Sequence, residues 1–235
     1  MKTKTVVIYS GGMDSYTLLM DAVKHSGRDN VSVVSFDYGQ RHYRELDSVR
    51  DVCKHHNVKF NIVDLRDLSD LVPGSSLTDP SVAVPEGHYE EESMKATVVP
   101  NRNMIMLSIA SAHAIAIGAG EVLFGAHAGD HAIYPDCRSD FVQSMNQTVR
   151  TGNYTYPIIR APYITLTKGQ ILERAQFLGI DPNSYKYTWT CYKGGQVACG
   201  KCGSCQERLE AFKSVGWVDP LPYEVDEDHI AQEAE

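Results

Sequence analysis

Five short runs rich in β-branched and apolar residues mark the first two thirds of the chain: Thr5–Ser10, Val31–Asp37, Lys59–Asp64, Val122–Gly125 and Pro157–Ala161. Helical patterns lie between or beside them, at Ser15–His25, Arg41–His56, Asn103–Ile117 and Ser139–Gly152. Antiparallel strands can be joined by tight hairpins, but parallel strands need a long crossover, usually a helix. The alternation therefore specifies an α/β fold: a parallel five-stranded sheet with helices on both faces. The first three runs are mostly apolar, as strands covered on both faces must be. Asn57 and Gly118 are stop signals for two of the helices.

The rhythm breaks at residues 65–100. Pro73-Gly74-Ser75-Ser76, Pro80, Pro85, Gly87 and Glu90-Glu91-Glu92 read there as a long, lid-like or disordered loop. Farther on, Thr167 and Gln170 have capping-box spacing and open a helix at Lys168, which Gly179 and Asp181-Pro182 end. A last helix runs from about Ser204 to Val215. Three regions follow: an α/β domain over 1–165, a small helical region over 166–218, and a tail over 219–235. The tail holds seven acids and no Lys or Arg, and is expected to be solvated and frayed.

The formal net charge of −8 argues against a general binder of nucleic-acid backbones, which would be basic. The N-terminus reads as a strand, without the features of a signal peptide. The longest apolar stretch, Met104 to Ala119, is interrupted by Ser108, Ser111 and His113, so it reads as a buried helix and no membrane span is expected. Four of the six cysteines crowd together, which points to metal and to a reducing, cytoplasmic setting.

Ser10-Gly11-Gly12-Met13-Asp14-Ser15 sits between the first strand and the first helix. It is neither the common phosphate loop, since it has no lysine, nor the dinucleotide fingerprint, since its glycines are adjacent. Gly195 to Lys201 resembles the former, but ends in Cys202 where Ser or Thr is required. Adjacent glycines still let the backbone approach an anion and turn sharply. The amides opening the next helix then face that anion. Ser10 and Ser15 add neutral donors. Asp14 either caps the helix or holds Mg²⁺ beside the phosphates. Such a site suits a diphosphate that departs as a unit.

Phe36-Asp37-Tyr38-Gly39-Gln40-Arg41-His42 lies where the second strand ends, the side on which open α/β sheets bind ligands. Its backbone could read an adenine edge, and Arg41 could face phosphate or substrate. The segment from Gly125 to Arg138 follows the fourth strand and is dense in polar groups. His127 and His131 have metal-like spacing, but Gly129 and Pro135 weaken a helix there. Asp130 and Asp136 could accept hydrogen bonds from a guanine-like edge, and Arg138 could pair with a carboxylate. Asp136 could instead cap the helix that starts near Ser139.

Cys191, Cys199, Cys202 and Cys205 form a strong metal signal. Cys202 and Cys205 are one helical turn apart. Four thiolates select a structural Zn²⁺ most simply, with an iron–sulfur cluster as the competitor.

In combination these motifs resemble the 7-cyano-7-deazaguanine synthase family, within the pyrophosphate-loop ATP pyrophosphatases. The resemblance rests on Ser10–Ser15, on Phe36 to His42, and on Val99-Pro100-Asn101-Arg102-Asn103. It continues through Gly125, Asp130 and Tyr134-Pro135-Asp136-Cys137-Arg138 to Thr190-Cys191-Tyr192 and the cysteines. Asn101 stands where the family often has glycine. The resemblance implies a Rossmann-like fold of the adenine nucleotide alpha hydrolase type. It implies ATP bound by Tyr9, Ser10, Gly11, Gly12, Met13, Asp14, Ser15, Phe36, Tyr38 and Gly125. Ser10, Asp14, Ser15 and Arg102 would be catalytic, with Arg102 on the α-phosphate. Arg41, Asp130, Asp136 and Arg138 would bind 7-carboxy-7-deazaguanine. The other implied reactants and partners are ammonia, Mg²⁺, Zn²⁺ and a second copy of the chain, with no direct contact to nucleic acid. Other adenylating enzymes with this loop, such as tRNA thiolases, lysidine synthetases and amide ligases, are the alternative. A zinc-ribbon nucleic-acid binder is a more distant one.

Overall fold

The computed structural model describes residues 3–88 and 91–224. Five strands form: β1 (Thr5–Ile8), β2 (Val31–Asp37), β3 (Lys59–Asp64), β4 (Glu121–Leu123) and β5 (Ile158–Arg160). They make one sheet in the order β3-β2-β1-β4-β5, and every pairing is parallel. The helices are α1 (Met13–Ser26), α2 (Arg44–His55), α3 (Asp67–Leu71), α4 (Arg102–Ile117), α5 (Ser139–Gly152), α6 (Lys168–Leu178) and α7 (Gly203–Ser214).

Alternation along the strands divides the core. Val6, Val34, Phe36, Val122 and Ile159 point to one face, where α4 and α5 bring Leu107, Ala110, Ala114 and Met145. Val7, Val31, Val33 and Leu123 point to the other, where α1, α2, α6 and α7 bring Leu19, Val52, Leu172 and Phe212. The result is three layers. The strand order reverses between β1 and β4, so a crevice opens beyond their carboxyl ends.

The regional boundaries differ from the sequence reading in two places. Residues 166–218 do not stand apart, because α6 and α7 complete the core beneath one face of the sheet. Asp219 is no frayed tail residue: its carboxylate accepts two bonds from the fully buried Arg208, at 2.7 and 2.9 Å. Tyr223 then donates to the same carboxylate. Arg208 also donates to Thr188 and Thr190, so it ties α7 to the segment that carries the first cysteine. The remainder of the expected tail, 225–235, lies outside the described residues.

Residues 65–100 are packed rather than loose. Leu77 and Met94 join the core on the α4 side, and Ser75, Ser76 and Thr97 are buried. The short helix α3 and a 3₁₀ turn at Glu92–Thr97 supply local structure that a Pro- and Gly-rich composition concealed. Tyr89 and Glu90 are outside the described residues.

Candidate active site

The glycine loop lies at the β1–β4 switch point and borders a cleft. Gly11 has φ +99°, and a Cβ there would sit 2.2 Å from the Glu45 carbonyl oxygen. Only glycine fits. The Gly11 carbonyl accepts from the Trp189 amide at 2.9 Å and from Ser48 Oγ at 3.0 Å, so the loop is clamped from two sides. Ser10 Oγ and Ser15 Oγ are 3.0 Å apart, and the Gly12 amide donates to Ser10 Oγ. The N-cap residue of α1 is Gly12, which brings no side chain of its own to the helix start, where backbone amides favour an anion. Across the crevice, a Cβ on Gly125 would lie 3.4 Å from the Ser15 amide nitrogen, so β4 and α1 meet closely.

Asp14 does not cap α1. Its Oδ2 is 3.4 Å from Lys168 Nζ, while Oδ1 is buried without a hydrogen-bond partner. A buried, unpartnered carboxylate oxygen beside a phosphate-type loop fits a divalent cation. Lys168, at the start of α6, is only 5% exposed and also pairs with Glu207 of α7 at 2.8 Å. Burial opposes its charge, but Asp14 and then Glu207 outweigh it, and its pKa is raised. A lysine absent from the loop itself thus lies beside Asp14, carried by a helix more than 150 residues away in sequence. One signal was available: a lysine in the first turn of a helix opposes the helix dipole and needs a reason. Glu207 gave none.

His127 joins the same group. Its Nδ1 accepts from the Gly129 amide at 3.1 Å, which leaves the proton on Nε2. Nε2 then faces Asp130 Oδ1 at 3.5 Å and Asp14 Oδ2 at 4.0 Å. Among the described residues only the four cysteines form a cluster of three or more groups that could hold a metal, and neither His127 nor His131 belongs to it.

The other expected site residues divide clearly. Ser10, Gly12, Met13, Asp14, Ser15, Phe36, Tyr38, Arg102, Gly125 and Asp130 border the cleft. The Tyr9 side chain does not; it is buried in the core and bonds Ser48. Arg102 lies over the Tyr38 ring, 5.8 Å from its centroid. Burial opposes the Arg102 charge, but Tyr38 and Asp136 outweigh it and raise its pKa. Burial pushes the Tyr38 phenol up to about 12, with Arg102 offsetting part of the effect.

Three of the four expected substrate residues fall elsewhere. Arg41 donates to the carbonyls of Ser76 and Val82, pinning the 65–100 segment. Asp136 accepts from the Asn103 amide at 3.2 Å, so it caps α4 rather than α5. Arg138 donates to the His131 carbonyl and holds its own loop. At the end of β2, the Gln40 carboxamide accepts from the Tyr38 amide and donates to the Phe36 carbonyl. That backbone edge, expected to read adenine, is already occupied.

The four cysteine sulfurs lie within 4.8 Å of one another and are all buried. The Cys199 amide donates to Cys191 Sγ, and the Lys201 and Cys202 amides donate to Cys199 Sγ. Such bonds favour thiolates. The cluster is suited to hold a metal ion. Its flanks, Trp189, Thr190, Tyr192 and Ser204, form one wall of the cleft.

An open parallel sheet with a lysine-free glycine loop at its switch point defines a nucleotide-using enzyme of the pyrophosphate-loop class. The fold resembles an NMN synthetase from Francisella tularensis, with TM-score 0.51 and 13% identity, covering 98% of this chain and 82% of that one. It also resembles a U34-tRNA thiolase, NcsA, from Methanococcus maripaludis, with TM-score 0.50 and 15% identity, covering 90% of this chain and 65% of that one. These likenesses concern the fold alone.

Sequence goes further. The family model described as queuosine biosynthesis protein QueC matches residues 4–216, and the chain belongs to that family. A protein of Marinobacter nauticus named 7-cyano-7-deazaguanine synthase is 54% identical over 95% of this chain and 99% of its own length. One of Colwellia psychrerythraea, named 7-cyano-7-deazaguanine synthase 1, is 54% identical over 95% of this chain and 100% of its own.

Proposed function

We propose that the chain is a 7-cyano-7-deazaguanine synthase. It would convert 7-carboxy-7-deazaguanine, ammonia and ATP to the nitrile through an amide, releasing AMP and pyrophosphate. The carrying observation is near-full-length identity of 54% to relatives of that name. A carboxylate resists ammonia because oxide leaves poorly. Transfer of its oxygen to the α-phosphate of ATP makes AMP the leaving group, and ammonia then gives the amide. Adenylation of the amide oxygen and loss of AMP give the nitrile. One site serves both rounds.

The residues have matching tasks. The start of α1, with Ser10 and Ser15, holds pyrophosphate as it leaves. Lys168 adds positive charge there, and Arg102 faces the α-phosphate. Asp130, which borders the cleft, reads the guanine-like edge. Arg41, Asp136 and Arg138 brace segments around the cleft instead. Asp14 Oδ1 is the ligand offered to Mg²⁺, which when bound offsets phosphate charge. Catalysis is positioning and electrostatics, with no nucleophilic side chain.

Zn²⁺ suits the cysteines. Tetrahedral ligation at about 2.3 Å sets sulfurs about 3.8 Å apart. The observed Cys202–Cys205 separation is 3.4 Å and Cys199–Cys205 is 4.0 Å. An iron–sulfur cube would spread its thiolates more widely. A homodimer has support from α4, which is apolar on most sides yet leaves Met104, Ser108, Ala112 and Ala116 exposed. A cytoplasmic location accords with six cysteines, none in a disulfide. Among the described residues no helix is long and apolar enough to cross a membrane.

The test is to incubate the protein with the carboxylate, ammonium and ATP, and to identify products by mass spectrometry. Nitrile with AMP is expected. Amide as the final product, or ADP, would overturn the reading.

A further inference from the structure

The motif that ends β2 closes on His42, which pairs with Glu45 of α2 in a way nothing above employs. His42 Nε2 is 3.1 Å from Glu45 Oε2, and both residues border the cleft. The His42 side chain is 3% exposed, and its Nδ1 is buried without a hydrogen-bond partner. The Nε2–H bond fixes the Glu45 carboxylate through one oxygen and leaves the other for a second donor. Glu45 also stands against the glycine loop: its Oε1 is 3.8 Å from where a Cβ on Gly12 would lie. A carboxylate facing a loop built for phosphate repels that phosphate unless a cation lies between them. An aromatic ring stands beside the pair: Tyr192 lies 5.7 Å from the His42 ring and also borders the cleft. An oriented carboxylate beside an aromatic ring suits a small cation with hydrogen-bond donors on every side.

We propose that Glu45, oriented by His42 and flanked by Tyr192, forms the ammonium subsite of the enzyme. The inference rests on the function proposed above. Ammonium is held by Glu45, whose carboxylate the His42 Nε2–H bond orients, and gives one proton to that carboxylate. The freed nitrogen pair forms the C–N bond at the adenylated carbonyl. The C–O bond to AMP breaks, and its electron pair leaves with AMP. A second proton departs from nitrogen to solvent, giving the neutral amide. No oxidant or reductant is involved. The second round consumes no ammonia, so the subsite matters to the first round alone.

That asymmetry supplies the test. Wild type and Glu45→Gln are each given the acid with varied ammonium, and separately the amide without ammonium, both with ATP. The Michaelis constant for ammonium should rise roughly tenfold to a hundredfold, the loss of one bond to a charged group. The constant for ATP should hold, and the acid-to-amide step should lose far more than the amide-to-nitrile step. His42→Asn, measured the same way, should shift the ammonium dependence in the same direction and serves if the first variant does not fold. Equal losses in both steps, or an unchanged ammonium dependence in a folded variant, would overturn the subsite. A wild-type protein that makes amide and nitrile with normal ammonium saturation, beside variants that behave as described, separates this result from the broader one. A wild type that makes neither product overturns the proposed function and the subsite together.

Discussion

Asn101 shows how one side chain can be both a departure from the family resemblance and consistent with it. It has φ +59° at the N-cap of α4, a left-handed conformation that glycine adopts freely and asparagine tolerates. Asn101→Gly should therefore keep stability and activity. Asn101→Ala should lower stability by about 1–2 kcal/mol, as read by urea denaturation. Lys168 carries a larger consequence. Lys168→Met would strand the carboxylates of Asp14 and Glu207, and the cost should be about 3 kcal/mol with a matching fall in kcat/KM. Tyr38 gives a pH dependence. Its buried phenol is held protonated up to about 12, above the unfolded value near 10. A group raised in this way binds more protons folded than unfolded, so its contribution is complete below pH ~10 and is lost as pH rises towards 12. Denaturation midpoints should fall across that window, and Tyr38→Phe should flatten the decline. What the sequence concealed at this scale was partnership. Lys168 was visible as a helix start and Asp14 as a loop acid, but their pairing needs the fold.

Elements were the more legible level. The runs at Val31–Asp37 and Lys59–Asp64 and the helix at Ser139–Gly152 have the bounds expected from pattern alone, because period and composition are local properties. Residues 65–100 were not legible. Their order comes from long-range anchors such as the two Arg41 bonds and the burial of Leu77, which leave no periodic trace. The cysteine element was legible from spacing, but its role as a cleft wall was not. Removing its metal with a strong chelator should melt α7 and the flanking segment while the sheet persists. Hydrogen exchange should then rise across residues 189–214 and stay low in β1 and β2. Unchanged exchange in α7 would contradict a structural metal.

At the scale of the whole molecule, the sheet order places three distant segments around one crevice: the loop after β1, the segment after β4 and the cysteine flank. The exposed face of α4 belongs to this scale too. If it joins two copies, Ala112→Glu should shift the protein to monomer in analytical ultracentrifugation, and a variant that sediments as wild type would rule that face out. The central claim is chemical: the loop holds a departing pyrophosphate, so the substrate oxygen must go to the α-phosphate. Supplying 7-carboxy-7-deazaguanine with both carboxylate oxygens as ¹⁸O, together with ammonium and ATP, tests this directly. The account predicts that both labelled oxygens leave in AMP, one per round, with unlabelled pyrophosphate and a nitrile product free of label. Label in inorganic phosphate, with ADP as the nucleotide product, would contradict it.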